Sequence, residues 1–122
     1  MPIDREFALS FAKKWIEVAN ERDLERGLAL YAEDVEVTSP FIRLVTGEPS
    51  GRVVGKSKLR DYWTAALTKR AELKFELLDV FVGAESLAIH YVNRGQRADE
   101  VFYFNDSRLV SRSAAHYLET QP

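Results

Sequence analysis

The sequence predicts an α+β fold in which N-terminal helices curl over a strongly bent, mainly antiparallel sheet and enclose a small pocket. Three observations point there. Apolar residues recur at helical spacing in stretches up to Leu67, the chain from Leu73 onward reads as strands, and the alternation of the first of these slips at Leu77-Leu78. A one-residue slip marks a β-bulge, the device that bends a sheet.

The elements follow in order. Between Asp4 and Asn20, apolar side chains fall at Ile3, Phe7, Phe11 and Trp15 and at Ala8, Ala12, Ile16 and Ala19, the rows of one helical face. Asp4 can cap the first turn, and Asp23 can cap a shorter second helix carrying Leu24, Leu28 and Tyr31 on one side. Gly27 weakens that helix slightly. Val35 and Val37 alternate with Glu36 and Thr38 in a short strand that stops at Pro40. Residues Thr46 to Gly55, rich in glycine, read as a loop. Leu59, Tyr62, Trp63, Ala66 and Leu67 then mark a third helix, capped by Gly55 or Ser57. Four antiparallel strands complete the chain: one from Leu73 to Val82, then Leu87 to Asn93, Arg97 to Phe104 and Leu109 to Leu118, with turns at Arg94-Gly95 and Asn105-Asp106-Ser107.

Bulk properties narrow the function. A chain of 122 residues is sized for a single domain spanning 1–122, with one core. With no cysteine, disulfides and thiolate chemistry are out, which fits a reducing cytoplasm, the expected location. The net charge of −2, without a basic stripe, argues against nucleic-acid partners. No apolar run approaches the ~20 residues of a membrane span, and Met1 to Ser10 lacks the features of a signal peptide. The two histidines lie on different strands without metal-ligand spacing, so no metal is expected.

Two strands break clean alternation. Val101-Phe102-Tyr103-Phe104 is apolar on both faces, and Leu87 to Val92 nearly so. Helices can cover one face of such a sheet; the other needs a partner, most simply a second copy. A homodimer joined through the convex sheet faces is therefore expected, with His90 on that outer side.

The element order, together with the run Leu30-Tyr31-Ala32-Glu33-Asp34-Val35-Glu36-Val37-Thr38-Ser39-Pro40, resembles the nuclear transport factor 2-like superfamily. More narrowly it is similar to the SnoaL-like branch, which includes polyketide cyclases and ketosteroid isomerases, and Gly55 followed by Leu59 and Tyr62, with the closing Ala115-His116-Tyr117, are further matches. The resemblance runs from about Phe7 to Tyr117. It implies a cone-shaped roll of three helices on a curved, mixed, mainly antiparallel sheet with an internal pocket. Ketosteroid isomerases combine an Asp base with an oxyanion hole of a Tyr and a protonated Asp. The matching positions here are Ser39, Trp15 and Glu100, so two of three have lost their chemistry and steroid isomerisation is not expected.

The same match implies that Trp15, Ser39, Trp63, Glu100, Phe102, Phe104, Arg112, Ala114 and His116 line the cavity. Residues two apart share a strand face, so Glu100, Phe102 and Phe104 go together, as do Arg112, Ala114 and His116. Counting outward from the Asn105 turn pairs Phe104 with about Arg108, Phe102 with Val110 and Glu100 with Arg112. Glu100, His116 and Arg112 are thus the candidate catalytic residues, while Glu100 and Arg112 also read as a buried ion pair, a kind that usually holds structure, and His116 as a strand-end cap. Trp15 and Trp63 sit at core spacing.

Two functions remain. One is a cofactor-free isomerase, cyclase or lyase of a small apolar carbonyl compound, where Glu100 or His116 moves a proton and Arg112 steadies the enolate. The alternative is a non-catalytic module that binds a small apolar, anionic or carbonyl-containing molecule, or serves in dimerisation.

Overall fold

The computed structural model describes residues 2–69 and 73–118. Helix α1 (Arg5–Asn20) is capped by Asp4, whose side chain accepts from the Phe7 amide, and it buries Ala8, Phe11, Ala12, Trp15 and Val18. Its far end is tied to the sheet edge: the Asn20 side chain exchanges two hydrogen bonds with the Phe75 backbone, at 2.9 and 2.7 Å. Asp23 caps α2 (Leu24–Leu28) as expected. Gly27 has a packing reason: a Cβ there would approach the Trp63 ring at 3.3 Å. Tyr31 does not extend α2 but opens strand β1 (Tyr31–Thr38), four residues earlier than the alternation of valines indicates.

The segment after β1 departs further from expectation. Ser39 ends the strand but also caps a helix, α3 (Pro40–Thr46), with Pro40 in its first turn and Gly47 closing it at φ 79°. The expected loop from Thr46 to Gly55 contains a short strand, β2 (Arg52–Val54), which pairs antiparallel with the end of β1. Helix α4 (Lys56–Lys69) follows and buries Leu59 and Tyr62. There are thus four helices among the described residues rather than three.

Strands β3 (Phe75–Val82), β4 (Ser86–Asn93), β5 (Gln96–Phe104) and β6 (Val110–Tyr117) complete a six-stranded sheet in the order β2-β1-β6-β5-β4-β3. Its pairings are antiparallel except β1 with β6. The slip at Leu77-Leu78 is a bulge: Leu77 faces Tyr91 and Asp79 faces His90, leaving Leu78 unpaired. A second bulge lies in β6, where Phe104 faces Val110 but Tyr103 faces Arg112, so Ser111 is the extra residue. Bulges on two strands bend the sheet around α1 and α4. The core lies on the concave side, where Leu87, Ile89, Tyr91 and Phe102 meet Phe11 and Trp15.

Candidate functional site

A cavity of about 180 Å³ opens between the concave face of the sheet and helices α1, α2 and α4. For scale, an engineered cavity of about 150 Å³ accepts benzene, so this one suits a ligand of one or two rings. Its walls are mainly apolar and aromatic, including Trp15, Val37, Tyr62, Trp63, Phe75 and Ala98.

At its floor stands Glu100, 8% exposed, on the central strand β5. Cross-strand pairing sets Ile89 on one side of it and Ala115 on the other, so neither neighbour offers a charge. Its hydrogen-bond partner is the Tyr91 hydroxyl, at a long 3.5 Å, and no described Lys, Arg or His pairs with it. Burial dominates over the weak opposing effect of that bond and lifts the Glu100 carboxyl from 4.5 to about 7. At neutral pH both protonation states are therefore populated.

Tyrosines surround this carboxyl. The Trp15 indole donates to the Tyr31 hydroxyl at 3.1 Å. Tyr117 is hydrogen-bonded to both Tyr91 and Ser39. Burial first, and the nearby Glu100 charge second, push the phenols of Tyr31, Tyr91 and Tyr117 upward, so they stay neutral donors. The Ser39 hydroxyl, 6% exposed, also accepts from the Phe41 amide at 3.1 Å. It is a cap, and nothing beside it could make it a base.

Of the expected lining residues, Trp15, Ser39, Trp63 and Glu100 border the cavity. Phe102 and Phe104 share the concave face but are filled in by α1, with Phe102 at 5.0 Å from the Phe11 ring and Phe104 at 5.1 Å from Phe7. Arg112, Ala114 and His116 must be corrected. They pair with Tyr103, Val101 and Asp99, whose side chains alternate with those of Glu100 and Phe102, and so lie on the outer face. The cause is the Ser111 bulge, which shifts the phase of β6 by one residue. In consequence Ser113, Ala115 and Tyr117 face inward, and Glu100 and Arg112 do not meet.

On the outer face these residues make other contacts. The Arg112 guanidinium lies over the Tyr103 ring at 4.3 Å. His90, Asp99 and His116 form one row across β4, β5 and β6, with His90 Nδ1 at 3.8 Å from the Asp99 carboxylate. Among the described residues, no group of three or more His, Asp or Glu is placed to hold a metal ion. No described helix is long and apolar enough to cross a membrane.

Sequence reasoning missed the tyrosine ring around Glu100. Tyr91 was legible, since it continues the inward row of Leu87 and Ile89. Tyr117 was hidden by the same bulge that misplaced His116.

Comparison with known proteins agrees with this architecture. Residues 12–117 match the family model described as a SnoaL-like domain. A SnoaL-like protein of unknown function from Burkholderia thailandensis is 41% identical, with a TM-score of 0.91 over 98% of this chain and 100% of that one. Two more distant structures share the fold alone. One, from Sinorhizobium meliloti, is provisionally described as a polyketide cyclase; it is 14% identical, with a TM-score of 0.70 over 88% of this chain and 94% of that one. The other, from Kribbella flavida and provisionally described as a ketosteroid isomerase, is 21% identical, with a TM-score of 0.62 over 93% and 78%. No functionally curated protein matches the chain.

Proposed function

We propose, starting from the fact that the chain belongs to the SnoaL-like domain family, that it binds a small apolar carbonyl compound in its cavity and moves a proton on it with Glu100. The observation that carries this reading is a carboxyl buried at the cavity floor with no cation beside it among the described residues. A structural carboxylate is normally paired, because an isolated buried charge is costly. A carboxyl poised near neutral pH is what general acid–base catalysis uses, being able both to take and to return a proton.

The chemistry needs no cofactor. Ionised Glu100 abstracts a proton from the carbon next to the ligand carbonyl, and neutral tyrosine hydroxyls donate to the oxygen as it gains enolate charge. Return of the proton from Glu100 to the same or another carbon completes an exchange or an isomerisation. The positions that serve ketosteroid isomerases as base and acidic phenol are a helix cap, Ser39, and an indole, Trp15. Steroid isomerisation is therefore not part of the proposal.

The test is deuterium exchange at the α-carbon of 1-phenylpentan-1-one in D₂O, followed by NMR. The protein should accelerate it, and Glu100→Gln should lose about 10²–10⁴-fold. Binding of the ketone without exchange would move the assignment to the non-catalytic module.

The outer sheet face is assigned to a second copy of the chain. Phe81 and Tyr103 are exposed there at 59% and 37%, beside half-buried Val92, Val101 and Ala114. A stable interface buries about 1,600 Å² in total. Sedimentation at micromolar concentration should show a dimer, and a 14.0 kDa species would overturn this assignment.

A further inference from the structure

We propose that Arg22 makes the cavity mouth selective for ligands that carry a carboxylate at the end remote from the carbonyl. This deepens the reading of the cavity as a ligand site and rests on it.

Two positions define the axis of the cavity. Glu100 marks the floor, and Arg22, the exposed residue among the described lining residues, marks the mouth. Arg22 is also the sole cation among the described lining residues. The charged lining residue next to it, Asp23, is committed elsewhere: its carboxylate caps the Arg26 amide at 3.1 Å and lies 3.8 Å from the Arg26 guanidinium.

The contrast with Arg26 is informative. Arg26 lies near the carboxylates of Glu17, Glu21 and Asp23. Arg22, surrounded by the same acidic segment, makes no side-chain hydrogen bond or ion pair among the described residues. It is not spent on holding α1 to α2.

Its backbone points the same way. After α1 the chain closes in a Schellman turn, with the Arg22 amide donating to the Ala19 carbonyl at 3.1 Å and the Asp23 amide to the Val18 carbonyl at 3.0 Å. Arg22 holds the left-handed position of that turn, at φ 57°, where glycine is the residue of least strain. Two other arginines have positive φ. Arg94 sits in the tight β4–β5 turn, and Arg108 lies over the Phe7 ring at 4.7 Å. Arg22 alone of the three borders the cavity. A strained, unpaired cation on the lip of an apolar pocket fits a ligand whose body is apolar and whose outer end is anionic.

The experiment compares two ketones of equal chain length: neutral 1-phenylpentan-1-one and its acid analogue 5-oxo-5-phenylpentanoate. Dissociation constants are measured by NMR titration for the wild type, Arg22→Gly and Arg22→Lys. Arg22→Gly relieves the backbone strain, so its melting temperature should equal or exceed that of the wild type, which separates binding from folding. It should weaken the keto acid about three- to tenfold and leave the neutral ketone unchanged. Arg22→Lys should retain most of the preference, and added salt should erode it in the wild type. An unaltered preference in Arg22→Gly, or equal loss for both ketones, overturns the role of Arg22 while the cavity reading stands. If neither ketone binds the wild type, the cavity reading falls and this inference with it.

Discussion

Phe102 and Tyr103 are adjacent in β5 and point to opposite sides of the sheet. Phe102 is 0% exposed, clasped between Phe11 and Trp15; Tyr103 is 37% exposed, with Arg112 across its ring. The same division holds along the strand. Inward lies Glu100, a carboxyl whose neighbours are neutral; outward lies Asp99, set between two histidines in a row open to water. The lesson concerns how to weigh charged residues. The outer face has more of them, yet each can be solvated or paired at little cost. Among the described residues the inner face has one, and burial raises its carboxyl to about 7, so it holds its proton far longer than a solvated carboxylate would.

Several measurements would break or sharpen this contrast. The largest expected effect is at Phe102: its truncation to Ala should cost about 3–5 kcal/mol in denaturant unfolding, against less than about 1 kcal/mol for Tyr103→Ala in the isolated chain. Comparable costs would mean that the outer face is as closed as the inner one. If two copies meet there, the Tyr103 cost should grow with protein concentration.

Next in size is the pH dependence due to Glu100. Its folded value of about 7 lies above the unfolded 4.5, so the folded state holds its proton longer. Stability present below pH 4.5 is lost as pH rises towards 7 and stays lost above, by about 3 kcal/mol in all. Glu100→Gln should flatten the melting profile over that window. An unchanged slope would mean that the carboxyl is better solvated than its burial indicates.

Two smaller effects follow. Ser113 faces inward with its hydroxyl buried and unpartnered among the described residues, so Ser113→Ala should stabilise by about 1 kcal/mol. Arg112→Ala should cost no more than about 1 kcal/mol, and the Glu100 profile should not move. A coupled shift of that profile would show that the two faces communicate.

The two bulges explain how much was legible in the sequence. In β3, Leu77-Leu78 sets two large apolar residues side by side in an otherwise alternating strand, so the slip can be seen. In β6 the bulge falls in Val110-Ser111-Arg112-Ser113-Ala114-Ala115, where small residues stand on both faces and no phase is written. Nothing local therefore corrected the inward placement of Arg112, Ala114 and His116 that the resemblance implied, and counting in steps of two from Phe104 paired Glu100 with Arg112. Helix α3 was obscured for another reason. Ser39-Pro40 ends a strand and begins a helix with the same two residues, and only the first meaning is visible from the alternation that precedes it. The helices α1 and α4 and the Asp4 and Asp23 caps were readable, because each rests on local periodicity or local capping chemistry, whereas the inward Glu100 came from the family resemblance.

The parallel pairing of β1 with β6 has a temporal meaning. Tyr31 finds its partner in Val110 and Thr38 in Ala114, yet β6 leaves the ribosome after every other strand of the sheet. Until it arrives, β1 has β2 as its one strand partner, and β5 presents a bare edge where the centre of the sheet will be. Contacts of such sequence separation are slow to form. The Glu100 floor is thus completed last, and between the synthesis of β5 and that of β6 the nascent chain carries a half-built pocket with an open strand edge, a surface that invites aggregation.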